Sequence, residues 1–153
     1  MQTFLPEGKY FYDGFERLDD KRLGKQRVEA WQILNVLLKI DNDGKPRQSN
    51  GWANHPAVRM WRGHEFALAT YGLVCCRVWL ERGFNDTMLQ RFRGRRDQLQ
   101  NQDQRLPEWL RTTESHQSIM VSHRSNLIRK KPDHYSQFWP TLRDDLPYYW
   151  PVS

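Results

Sequence analysis

Cysteine is nearly missing from this chain. Cys75 and Cys76 are the only two, and they stand side by side within a helical pattern. That placement suits neither a structural disulfide nor a zinc-site spacing, so a reducing, cytoplasmic setting is expected. Long apolar runs are lacking too. No stretch approaches the roughly 20 residues that cross a bilayer, and the opening MQTFLPEGKY has neither the charged nor the greasy segment of a signal peptide. No membrane association is expected. The histidines His55, His64, His116, His123 and His134 form no HExxH pair, and neither a glycine-rich phosphate loop nor a GxSxG turn occurs. The reading therefore calls for no metal and no cofactor.

Acids are the scarcer charge. Lys and Arg total 24 against 18 Asp and Glu, a net +6 carried mostly by arginine, whose planar fork gives phosphate two hydrogen bonds at once. A polyanion is the expected partner. With 38% hydrophobic and 13% aromatic residues, the chain can bury a core despite its polar average. Its 153 residues suit one domain, spanning 1–153 and expected to be monomeric.

Periodicity predicts three main helices. The first covers about 20–40 and ends at the turn-rich DNDGKPRQSNG. The second begins at Pro56, a good first-turn residue, and runs to Gly83, which suits a C-cap because glycine tolerates the left-handed turn there. Val58, Trp61, Glu65, Leu68, Gly72, Cys75 and Trp79 trace its core-facing side. Residues 84–110, with RFRGRRDQLQNQDQR, read as a long surface loop holding a short helix. The third helix starts at Ser115 and stops before Pro132. It turns Ile119, Met120, Leu127 and Ile128 inward, with His116, His123, Arg124, Arg129, Lys130 and Lys131 on or near the other side. Beyond it, prolines divide a tail carrying Tyr135, Phe138, Trp139, Tyr148, Tyr149 and Trp150. The expected fold is all-α: a single compact domain of three main helices with long loops and an aromatic-rich C-terminal tail.

The first helix raises a specific question. In LDDKRLGKQRVEAWQIL, Glu29 is the only acid after Asp20, on a face shared with Arg22, Lys25, Gln26 and Gln32. One reading is a Lys25–Glu29 surface pair contributing a few tenths of a kcal/mol. The other is a carboxylate with chemistry to perform, since a reaction that needs only one carboxylate and a nucleophile from elsewhere remains open. Candidate DNA contacts are Arg22, Lys25, Gln26, Arg27, Arg124, Arg129 and Lys130, with Tyr135 as a ring for base stacking. Asn54, His55 and His123 are candidate pocket residues. Asn54 and His55 also suit a helix-capping role.

The order RLGKQRVEA, VWLERGFND and SHQSIMVSHRSNLIRKKPDHYSQFWP resembles the pyrimidine dimer DNA glycosylase/AP lyase family. In particular it resembles a bacterial branch that begins MQTFLP and carries GW-NHPAVRMWRG, SHRS-L-RK and DLPY-WP. The resemblance spans nearly the whole chain and implies an all-helical, metal-free enzyme. Such an enzyme cleaves the glycosidic bond of a pyrimidine lesion and nicks the abasic site, using a terminal amine and one first-helix glutamate. Glu29 takes that glutamate's place, with Leu18 and Leu23 in step. Arg22 stands where phage members have histidine and Val28 where they have arginine, so phosphate contacts are redistributed, with Arg27 a candidate.

Matching Phe4 and Leu5 to the family's apolar pair puts the Met1 amine in the nucleophile's place. Met1 is expected to be retained, because Gln2 is too large for the usual trimming. Imine formation needs a neutral amine, and an α-amine titrating near 7.7–8.0 is about a quarter neutral at pH 7.4, against about a thousandth for a lysine near 10.4. Lys21 and Lys25 are the fallback. The expected activity is a DNA glycosylase with AP-lyase action on duplex DNA bearing a pyrimidine lesion, most simply a cyclobutane dimer, or an abasic site, in a nucleoid-associated cytoplasmic protein. A glycosylase for a hypermodified base and a noncatalytic nucleic-acid-binding module are the alternatives.

Overall fold

The computed structural model describes residues 1–152. Among them lie eight helices and no strand: α1 (Phe11–Arg17), α2 (Asp20–Leu38), α3 (Pro56–Arg59), α4 (Glu65–Glu81), α5 (Leu89–Gln98), α6 (Glu108–Arg111), α7 (Thr113–Lys130) and α8 (Pro132–Tyr135). The fold is all-α and compact, with one continuous core. No helix among the described residues is long and apolar enough to cross a membrane.

α2 and α4 form the central pair, and α1 and α5 pack on α4. Leu23, Ala30, Ile33 and Leu34 of α2 are buried against Leu68, Tyr71, Cys75 and Cys76 of α4. Both thiols are free, and burial pushes both well above the ordinary thiol range. α2 stops at Lys39, which adopts the left-handed conformation with φ 59° and returns its N–H to Asn35 and Val36. α4 stops at Gly83, where φ is +91°.

Three departures from the sequence reading have physical causes. The helix expected from Pro56 to Gly83 is two helices, because Gly63 takes φ +84° and breaks the run. Glu65, the odd member of the supposed core stripe, instead accepts the Gly63 N–H at 3.2 Å at the start of α4. The arginine-rich run RFRGRR lies within α5 rather than in a loop. Its anchor is Phe92, fully buried against Trp31 at a ring separation of 5.3 Å. Gly72 makes the approach possible, since a Cβ there would meet the Phe92 ring at 2.2 Å. The third departure is α1, a short amphipathic element that lays Phe11 and Phe15 on Tyr71.

The C-terminal tail mostly covers the core. Tyr135 and Trp139 are buried and stacked at 5.8 Å, while Tyr148 and Trp150 are partly buried against the core. Tyr135 was expected to offer its ring to bases. Instead it is fully buried, with its hydroxyl donating to the Asp19 carboxylate, so it has no face left for stacking. Burial pushes the Asp19 carboxyl up, yet hydrogen bonds from Tyr135 and Arg22 outweigh it and hold the group below its ordinary value. A depressed folded value means a contribution present above the unfolded value of about 3.9 and lost as pH falls through the folded one. Tyr135→Phe removes a hydrogen bond to a buried charge and is expected to cost about 1.5–3 kcal/mol. Urea unfolding at pH 7 and pH 3 checks this: the difference between wild type and variant shrinks at the lower pH.

Candidate active site

The first five residues run as an extended segment through the middle of the fold, and Gln2, Thr3, Phe4 and Leu5 are all buried. An extended segment without a neighbouring strand must find acceptors for its N–H groups elsewhere. Here side chains supply all four. Gln2 N–H donates to Glu29 Oε2 at 3.3 Å and Thr3 N–H to the Gln2 side-chain oxygen at 2.9 Å. Phe4 N–H donates to Gln26 Oε1 at 2.9 Å, and Leu5 N–H to His123 Nδ1 at 2.8 Å. The Trp61 indole also donates to Thr3 Oγ1 at 3.0 Å. Helices α2 and α7 thereby hold the segment, and Trp61 fixes it from the α3–α4 turn.

This arrangement places Met1 beside Glu29. Both line a pocket of about 330 Å³ together with Lys21, Arg22, Lys25 and Lys130, under the Tyr148 ring. Glu29 Oε2 takes two donors, Gln2 N–H and the Gln26 amide at 3.1 Å, so Oε1 is the freer oxygen, with Lys25 Nζ at 3.8 Å. The surface pair read from the sequence therefore exists. It is the outer part of a larger arrangement, for the Glu29 side chain is only 13% exposed. Burial lowers the Lys130 ammonium from its ordinary value, helped by the charges of Arg22, Arg129 and Lys25 and opposed by Glu29. Four cations around one carboxylate suit a phosphate-bearing ligand.

The expected site residues separate into two groups. Met1, Glu29, Arg22, Lys25, Gln26 and Lys130 meet in the pocket. Gln26, expected on the outer face as a DNA contact, is buried, and its amide is committed to Phe4, Tyr71 and Glu29. Arg27 turns away from the pocket, pairs with Asp86 and lies over the Trp79 ring. Arg124 was expected to contact DNA but is held by the Pro6 carbonyl at 2.7 Å and the Glu7 carboxylate at 2.9 Å. Arg129 is exposed on α7 outside the pocket lining and donates to the Asp144 carbonyl and the Asn126 side chain.

His123 is wholly buried, not on the basic side of its helix, and burial lowers it to about 3. Being neutral, with Nδ1 accepting from Leu5, it is a tether for the N-terminal segment rather than a pocket group. His55 caps α3 by accepting the Ala57 N–H at 3.0 Å. Burial lowers its pKa, and the terminal ammonium adds to the effect. Asn54 is exposed in the preceding turn. Trp61 was read as a core-facing residue, yet it also carries a polar contact to the segment, as does Tyr71, whose hydroxyl donates to the Phe4 carbonyl at 2.8 Å. The signal that could have found Gln26 was a polar residue at helical spacing from Leu23 and Ala30. Among the described residues no group of three or more His, Cys, Asp or Glu is arranged to hold a metal ion.

The family model described as pyrimidine dimer DNA glycosylase matches residues 1–91. That span contains the N-terminal segment, Glu29 and the pocket wall from α2, while Lys130 and His123 lie beyond it. No curated protein and no solved structure matches the chain.

Proposed function

Because the chain belongs to the pyrimidine dimer DNA glycosylase family, we propose that it excises a damaged pyrimidine from duplex DNA and then nicks the abasic site, with Met1 as nucleophile and Glu29 as acid and base. The observation that carries this reading is the Gln2 N–H bond to Glu29 Oε2. It fixes the terminal amine within about one residue's length, roughly 3.8 Å between neighbouring Cα atoms, of a backbone nitrogen already bound to the carboxylate.

The chemistry balances with these groups alone. The neutral Met1 nitrogen adds to C1′ as the glycosidic bond breaks, and the base leaves with its bonding electrons and takes up a proton. Glu29 stabilises positive charge at the sugar, and a proton delivered to the ring oxygen opens the sugar to an imine. Removal of a C2′ proton then expels the phosphate ester at C3′, and water releases the amine. Arg22, Lys25 and Lys130 are the phosphate contacts in this reading. Arg27 and Arg124 act within the protein through their own carboxylate partners.

Borohydride reduction on an abasic duplex tests the proposal directly. A covalent adduct mapping to Met1 is expected. An adduct on Lys21 or Lys25 would move the nucleophile, and no adduct together with ordinary duplex binding would leave a nucleic-acid-binding protein.

Duplex binding itself should depend steeply on salt, each neutralised phosphate adding about 0.9 to the logarithmic slope. Lys130→Ala and Lys25→Ala are each expected to weaken lesion-bearing and undamaged duplex alike and to flatten the slope by about one unit. Arg124→Ala is expected to lower stability and leave the slope in place. Fluorescence anisotropy titrations at several salt concentrations separate the two behaviours.

A further inference from the structure

The outer face of α5 carries charge that the pocket does not use. Its ten residues, Leu89–Gln98, hold four arginines against one acid, Asp97. Arg95 and Arg96 flank the buried Phe92 and are drawn inward, their guanidinium groups lying over the Trp31 ring at 4.8 Å and the Phe66 ring at 5.0 Å. Arg91 and Arg93 are exposed instead, and among the described residues neither has an ion-pair or ring partner. Asp97, one turn beyond Arg93, is exposed and pairs with neither.

Gly94 lies beside these two arginines. At about 100° per residue it is some 200° around the helix from Phe92, which puts it near the middle of the exposed face. Glycine is the poorest helix former after proline, and a helix keeps one in its interior for a positive φ or a close internal contact. Neither applies here. Gly94 is not among the positive-φ residues, and a Cβ there would meet nothing within 4 Å. Its missing side chain does nothing for the fold. It leaves bare helix backbone flanked by two unpaired guanidinium groups, a form that suits close approach of a ligand's own backbone.

This face looks away from the cationic pocket. Phe92 seats α5 against Trp31 at 5.3 Å, and Trp31 follows Glu29 by two positions, about 200° around α2. No residue of α5 lines the pocket that holds Met1 and Glu29. A straight duplex lying in that pocket therefore leaves the α5 face open. The match to the family model ends at Arg91, so Arg93 and Gly94 stand outside it.

We infer that the outer face of α5 is a second DNA-binding surface, in which Arg91 and Arg93 each take a phosphate and Gly94 lets the sugar-phosphate backbone lie against the helix. The inference rests on the reading of the pocket as a DNA site and goes beyond it: one molecule holds two duplex segments at once. Guanidinium groups without an internal carboxylate suit phosphate, which accepts their paired hydrogen bonds. Once the pocket holds one segment, neighbouring segments of the same polymer are present at high effective concentration, so even a weak second surface is occupied. The protein then passes from segment to segment without release.

The test uses the full chain and two duplexes, one biotinylated on beads and one fluorescent in solution. Wild type is expected to retain the fluorescent duplex on the beads. Changing both Arg91→Gln and Arg93→Gln should lower retention at least tenfold and flatten its salt slope by about two units, with binding of a single duplex and nicking of a short abasic duplex within twofold of wild type. Gly94→Gln is the sharper variant. It should raise the thermal midpoint, because a better helix former replaces glycine, and still lower retention, which a merely structural position would not do.

Equal retention in wild type and both variants overturns the surface, as does a wild-type protein that binds one duplex and never two. Displacement of the second duplex by poly-glutamate at a lower charge concentration than free duplex requires would give the face to an acidic protein, and the DNA assignment falls. Should the pocket itself bind no DNA, that reading falls separately and NMR decides for α5. Saturable shifts of the Gly94 amide on adding undamaged duplex support the surface, and their absence overturns it.

Discussion

Acetylating the Met1 nitrogen is expected to abolish borohydride capture on abasic duplex DNA while leaving the fold and duplex binding in place. The modification removes the lone pair that would attack C1′ in the proposed mechanism but spares the Gln2 N–H, the donor to Glu29 Oε2, so the segment stays docked. If a lysine took over, capture would still slow, because an ordinary lysine is far less often neutral at pH 7.4 than an ordinary chain-terminal amine. Capture rates on unmodified and acetylated protein, measured side by side, are decisive. Equal rates would remove the terminal amine from the mechanism.

Glu29→Gln should lose at least a hundredfold in base excision, about 2.7 kcal/mol of barrier, with little change in stability or duplex affinity. The substitution keeps size and keeps an oxygen for the Gln2 and Gln26 donors, so what disappears is the charge and the capacity to exchange a proton. Single-turnover excision on a lesion duplex reads the effect. A loss of less than severalfold would return Glu29 to the status of a partner for Lys25, whose Nζ lies at 3.8 Å.

Much of the fold was legible because apolar spacing reports on what a helix buries. The helix expected at about 20–40 is Asp20–Leu38, and the one expected before Pro132 ends at Lys130. Pattern reading failed where a single contact outweighs composition. RFRGRR looks like a solvated loop until Phe92 is seated against Gly72, and the run through residues 60–64 looks helical until Gly63 adopts positive φ.

The site was legible in part for a related reason. Glu29 stood out as a lone acid on a basic face. Gln26 and His123 were placed outside because polar residues usually are, yet their partners are backbone N–H groups of Phe4 and Leu5. A backbone donor has no residue letter, so nothing in the sequence marks the side chain that must meet it. Arg27 and Arg124 misled in the opposite way. Their charges are visible in the sequence, while Asp86 and Glu7, which pair with them, are remote along the chain.

The side-chain anchoring of residues 2–5 also bears on the order in which the molecule assembles. Leu5 and His123 are 118 positions apart, and closing so long a loop carries its entropy cost before the contact rewards it. Gln26 and His123 can present their acceptors to the segment only once α2 and α7 have packed. Docking of the amino terminus is therefore expected to follow the placement of α2 and α7, and hydrogen exchange at the Phe4 and Leu5 amides checks whether it also opens ahead of the helices. Helix content and catalytic competence then report on different events: a molecule can be fully helical and still have no active site.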